Sequence, residues 1–165
     1  AGTTVGSGAA LELSNNINVV GEGITLHGTG VGGNGALRNV SGANTNTGTV
    51  TLGSSARINT DGGTLLLTGQ IAGDVANALT VGGSGNTTLS AVTTAARALT
   101  KDGAGTLDFT TVTNTYGLVT ISGGTLRNNL DFYTSGLEGG SSGTLVIAAA
   151  GISNQFYADF GSATR

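Results

Sequence analysis

Nine carboxylates, one imidazole and a surplus of glycine are what this 165-residue chain offers to chemistry. The acids are Glu12, Glu22, Asp61, Asp74, Asp102, Asp108, Asp131, Glu138 and Asp159. A polysaccharide-cleaving site needs two of them flanking one glycosidic bond, one to protonate and one to activate water or attack. Asp108 with Asp131 is the pair that stacked strands would have to bring together. Asp61 and Asp102 each precede glycine and read as turn residues whose carboxylates bond their own backbone. Asp108 alternates with Leu107 and Phe109, which points it outward from a strand. Lys101 beside Asp102 reads as a solvated local ion pair worth well under ~1 kcal/mol. His27 is the only histidine, so a multi-histidine metal site is excluded by count, and a lone His with a distant Ser reads as a surface residue.

Two glycine patterns imitate ligand motifs. Gly28-Thr29-Gly30-Val31-Gly32-Gly33 satisfies G-x-G-x-x-G after a strand, but Asn34-Gly35-Ala36-Leu37 opens no amphipathic helix whose amino end could hold a pyrophosphate. Gly32-Gly33-Asn34-Gly35 and Gly82-Gly83-Ser84-Gly85 approach a calcium β-roll, yet Leu37 and Thr87 stand where the carboxylate belongs. The sequons at Asn39 and Asn86 are the chance matches expected of an Asn- and Thr-rich chain. No catalytic residue, cofactor or metal is therefore expected.

The elements that would position these groups are short strands. Apolar residues recur with a period of two in runs bounded by Gly, Asn, Asp or Ser, as at Leu107-Asp108-Phe109 and Leu118-Val119-Thr120-Ile121. Such strands cannot bury a face singly, so each unit needs copies above and below. Between residues 49 and 73 the text predicts three strands, near 49–52, 56–59 and 64–68, parted by Gly53-Ser54-Ser55 and by Thr60-Asp61-Gly62-Gly63. Leu11, Leu37, Leu65, Leu79, Leu89, Leu99, Leu107, Leu126 and Leu145 read as inward knobs. Residues 75–79 and 91–99 are too short for helices, and Thr dilutes the Ala of the second.

At 99–107 (LTKDGAGTL), 114–116 (NTY) and 119–126 (VTISGGTL) the chain resembles the autotransporter-associated β-strand repeat of bacterial surface passenger domains. That resemblance implies an all-β fold, a right-handed parallel β-helix, and a place on the cell surface without implying an activity. We expect roughly five to six rungs of ~25 to 32 residues. Residues 1–129 would form the helix, and 130–165 a carboxy-terminal cap or subunit-pairing segment, since every aromatic residue but Phe109 and Tyr116 lies there. A family member would normally carry a carboxy-terminal membrane barrel. Nothing after Asn129 repeats the ~10-residue alternating strands that a barrel needs.

Composition bounds the partners. With 31 Gly, no Pro, Cys, Met or Trp and 9% charged residues, the chain relies on Thr, Ser and Asn for its surface. Uncharged side chains stack without the repulsion that like charges suffer at ~4.8 Å strand spacing. The lack of Met predicts a processed or excised chain, and zero cysteines agree with export. A net charge of -3 from scattered residues builds no basic face, so neither nucleic acid nor anionic lipid is expected as a partner. The longest apolar run is too short for a spanning helix. The expected role is a non-catalytic extracellular or cell-surface stalk, adhesin passenger or fibre subunit, binding surface ligands or itself. A head-to-tail filament subunit and a polysaccharide-acting β-helix enzyme are the alternatives. For self-association the candidates are Val5 at the uncapped start and Leu145, Val146, Ile147, Phe156, Tyr157 and Phe160 near the end.

Overall fold

A chain of short strands and glycine turns must give its backbone N–H and C=O groups to other strands, and here it gives them to its own next turn. The computed structural model describes residues 2–91, 96–110, 114–128, 132–140 and 142–147. Taking the rungs in order, the first holds β1 (Thr3–Val5), β2 (Leu11–Leu13) and β3 (Asn18–Val19), and the second β4 (Ile24–Gly28), β5 (Leu37–Asn39) and β6 (Ala43–Asn46). The third holds β7 (Val50–Thr60) and β8 (Thr64–Leu67), and the fourth β9 (Ile71–Gly73), β10 (Leu79–Gly82) and β11 (Asn86–Leu89). Above them lie β12 (Leu99–Lys101) with β13 (Thr106–Phe109), β14 (Asn114–Ile121) with β15 (Gly124–Asn128), and β16 (Phe132–Gly139) with β17 (Gly143–Ile147).

Every strand pairing is parallel and joins one rung to the next. The result is a parallel β-helix of about six turns, with two hydrogen-bonded sheets of ten and seven strands. Ladder A stacks β1, β4, the first part of β7 and β9. Ladder B stacks β2, β5, the last part of β7, β10, β12 and the ends of β14 and β16. Ladder C is the seven-stranded sheet from β3 to β17.

Three features differ from the sequence reading. Gly53-Ser54-Ser55 is no turn: β7 runs through it, and ladders A and B merge there with a shift of register between Leu26 and Gly28. Gly53 lets the His27 ring lie where its own Cβ would be, so the strand passes the corner without looping out. The rungs are also shorter than 25 residues for most of the stack. Neighbours one rung apart are separated by 27 residues at Ile17 and Asn44, by 23 at Arg38 and Asp61 and by 20 at Asn86 and Thr106. The longest coil carries an outward loop with a 3-10 turn at Val31–Gly33, which is where the G-x-G-x-x-G run lies. Finally, β16 and β17 carry ladders B and C past residue 130.

The interior is built of columns. In ladder C, Asn44, Leu65, Thr87, Leu107, Leu126 and Leu145 lie one above another. In ladder B, Leu11, Leu37, Ile58 and Val81 do the same. The leucine knobs all face this core; Leu11 and Leu145, near the two ends, are only partly buried. Burying each of the others contributes about 1.5–3 kcal/mol. Phe109 and Tyr116 fill the interior with rings 5.6 Å apart. Polar side chains that enter it find partners in turns or in one another. Asn44 accepts from the Ile17 amide at 2.7 Å and donates to Ser41 O and Asn39 Oδ1, while Thr60 and Thr87 pair their hydroxyls at 2.8 Å.

Glycine closes the turn between ladders B and C. Gly105 lies directly over the Gly85 carbonyl, so that a Cβ would fall inside contact distance of it. Gly105→Ala should therefore cost about 1–3 kcal/mol through overpacking, whereas Gly6→Ala, with open space around it, should stay within about 0.5 kcal/mol of the parent. Urea denaturation of both variants checks this, and equal effects would refute the carbonyl-stacking account.

Candidate functional site

The densest polar constellation lies on the outer side of ladder B, where residues from separate rungs meet because their registers align. Arg38, above Glu12 in the ladder, donates from Nη1 to Glu12 Oε1 at 2.8 Å and from Nε to Asp61 Oδ2 at 2.7 Å. These acids raise the Arg38 pKa further above its ordinary value, hydrogen bonding to Asp61 contributing most. Asp61 Oδ1 accepts from Asn59 Nδ2 at 2.6 Å, and Asn59 Oδ1 accepts from Arg57 Nη2 at 2.9 Å. Arg57 then grips Asp102 with both terminal nitrogens, at 2.7 and 2.8 Å. A single polar spine thus runs from the first rung to the fifth.

Behind the end of this spine sits Lys101. It occupies the inward column of ladder B between Val81 and Ile121 and is 1% exposed. Its ammonium turns to backbone, donating to the carbonyls of Asp102 at 2.5 Å, Gly103 at 3.1 Å and Gly123 at 3.3 Å. Burial lowers its pKa, Asp102 opposes that and Arg57 adds to it. Arg97, also fully buried, donates to Ala72 O at 3.2 Å and Gly73 O at 3.1 Å, and burial lowers its pKa too. Over Lys101 lies an open groove of about 480 Å³, lined by Gly103, Ala104, Ser122, Gly123, Gly124 and Ser142. Its walls are backbone, the Ala104 methyl and the hydroxyls of Ser122 and Ser142.

Several expectations are corrected here. Asp61 and Asp102 are not self-bonding turn residues; their carboxylates are bound by Arg38 and Asn59 and by Arg57. Lys101 with Asp102 is not a solvated pair, because the lysine is inside and the carboxylate outside. Asp108 does point outward, and the residue above it is Arg127, 3.7 Å away. Asp131 and Asp159 lie outside the described residues. Asp74 caps its own turn through the Ala76 amide at 2.8 Å. Asn39 is fully buried with its amide on Gly62 O, which closes that sequon to a glycan.

Of the self-association candidates, Val5 is buried in the core and Leu145 packs partly against it. Val146 and Ile147 belong to β17, in register with Arg127 and Asn128 of β15, and Phe156, Tyr157 and Phe160 lie outside the described residues. The sequence reading passed over Arg38, Arg57 and Asn59. The signal was spacing: Glu12 and Arg38 are 26 residues apart and Arg38 and Asp61 are 23, each close to one rung. Among the described residues, no cluster of three His, Cys, Asp or Glu is placed to hold a metal, and no helix is long and apolar enough to cross a membrane. No family model, no curated protein and no solved structure matches the chain.

Lys101 gives a pH signature. Its folded pKa lies below the 10.5 of the free side chain, so between those two values the unfolded chain holds more protons and stability rises with pH. Lys101→Met should flatten that rise. At neutral pH it should also cost about 1–3 kcal/mol, because three carbonyls lose a donor. Urea midpoints of both proteins across neutral to alkaline pH measure the difference, and parallel pH profiles would count against a buried ammonium.

Proposed function

We propose that this chain is a non-catalytic structural solenoid of the bacterial surface or extracellular space, serving as a stalk, an adhesin passenger or a fibre subunit. The observation that carries the reading is the outer surface. Thr64, Asn86, Thr106, Thr125 and Thr144 stand in one outward column of ladder C, and Thr80, Thr100 and Thr120 in another of ladder B. Successive uncharged polar side chains there repeat at ~4.8 Å, a regular polar wall suited to contact along its length. The interior is filled by side-chain columns, which leaves the walls as the working surface. The surface location rests on the resemblance of residues 98–126 to the autotransporter-associated repeat.

A second reading is head-to-tail polymerisation, in which an end-to-end contact that does not close makes a filament.

Negative-stain images of the purified protein should show rods whose stacked part is about 29 Å long. Discrete rods at all concentrations support the spacer; filaments that lengthen with concentration and vanish on deletion of 148–165 support the polymer. Antibody labelling of intact source cells tests location, since signal only after lysis would sink it. Release of reducing ends from a polysaccharide panel, lost on Asp108→Asn or Glu138→Gln, would establish the enzyme instead.

A further inference from the structure

We propose that Arg57, Asp102 and the bare Cα of Gly82 form a clamp that couples non-adjacent rungs, so that the stack from β7 to β13 opens as one unit and not rung by rung. In a solenoid each repeat touches only its neighbours, and unravelling can pause at any junction. This contact breaks that rule. Arg57 belongs to β7 in the third rung and Asp102 follows β12 in the fifth, 45 residues on. The rung between them contributes Gly82, the register partner of Asn59.

Gly82 is explained by the clamp and by nothing else at that position. It is not among the glycines with positive φ, so its backbone would accept an L side chain. Yet a Cβ there would stand within contact distance of both Asp102 Oδ1 and Arg57 Nη2. The glycine is a gap through which a guanidinium passes to reach a carboxylate two rungs away. The pair is bidentate, and its side chains are only 18% and 33% exposed, so solvent screens it less than an ordinary surface pair.

Both ends are anchored. Asn59 Oδ1 accepts from Arg57 Nε at 3.3 Å and Nη2 at 2.9 Å, which fixes the guanidinium plane, and Asn59 is itself bound to Asp61. On the other side, Lys101 holds the Asp102–Gly103 turn from within and ties it to Gly123 in the sixth rung. The turn after β12 is therefore gripped from outside by the third rung and from inside by the sixth. A rod so joined resists peeling across its middle, because neither the junction of the third and fourth rungs nor that of the fourth and fifth can open without also breaking the clamp.

Amide hydrogen exchange on the whole chain, followed by mass spectrometry through a urea series, tests this. In the parent, segments 50–67 and 99–109 should lose protection at the same urea concentration. In Gly82→Ala and in Asp102→Asn, protection of 99–109 should fall at least tenfold more than that of 50–67. Gly82→Ala added to Asp102→Asn should change it less than twofold further, since the gap has no use without the ion pair. The exchanged pair R57D/D102R should bring the two segments back together. The proposal is overturned if the segments already separate in the parent, if either variant weakens both equally or neither, or if Gly82→Ala acts undiminished without Asp102.

Discussion

Parallel, in-register stacking at ~4.8 Å is the constraint on which the molecule depends, because it makes the nearest neighbour of each side chain the residue at the same place in the next coil. A residue type must tolerate its column. Leucine, isoleucine and valine do so by filling space, as Leu65 under Thr87 and Leu107 under Leu126 illustrate. Threonine does so outside by remaining neutral. Charge does not, unless the sign alternates from rung to rung, and Glu12, Arg38 and Asp61 follow that alternation on the outer side of ladder B. The 9% charged content of the chain agrees with this, since an outward column accommodates an ion where its counter-ion falls one or two coils away.

The same constraint explains the glycines and the buried cations. Where coils turn from ladder B to ladder C, backbone lies on backbone and there is no volume for a Cβ, so Gly63, Gly85 and Gly105 stand over one another's carbonyls. Such a corner presents carbonyl oxygens whose donors are few. Asn39 and Asn44 supply them in the lower rungs, and Lys101 supplies them in the upper ones, where three carbonyls converge on one ammonium. The lysine thus does at one junction what asparagine does at another. Its stem continues the apolar column between Val81 and Ile121 while its tip replaces the amide, which accounts for a charged residue inside a β-helix whose ammonium is held by carbonyls.

How much of this was legible in the sequence follows from what repeats and what does not. The alternation in Leu107-Asp108-Phe109 and the recurring leucine knobs reveal strands, stacking and the inward faces, because those depend on period two alone. Coil length was misjudged because Val31–Gly33 bulges outward while Gly53-Ser54-Ser55 is absorbed into β7, so that equal-looking glycine clusters mark a loop in one rung and a straight passage in the next. The polar spine was missed for a related reason. Asp61 and Asp102 each stand before glycine, which locally favours an Asx turn, and only a correct coil length brings Arg38 and Arg57 within reach of them. Local propensity lost to a long-range pairing that register alone determines.

On the proposed structural role the solenoid works through length, surface and resistance to unravelling, and these draw on different residues. Length comes from the number of coils, and surface from the outward threonine columns, neither of which needs any unique side chain. Resistance to unravelling is different: a stack held only by neighbour contacts is as weak as its weakest junction. Arg57, which reaches across two coils outside, and Lys101, which reaches to the next coil inside, converge on the turn after β12. That turn takes its outer partner, Arg57, from 45 residues earlier in the chain. A repeat unit specifies the coil, and a non-repeating residue joins the coils into one body.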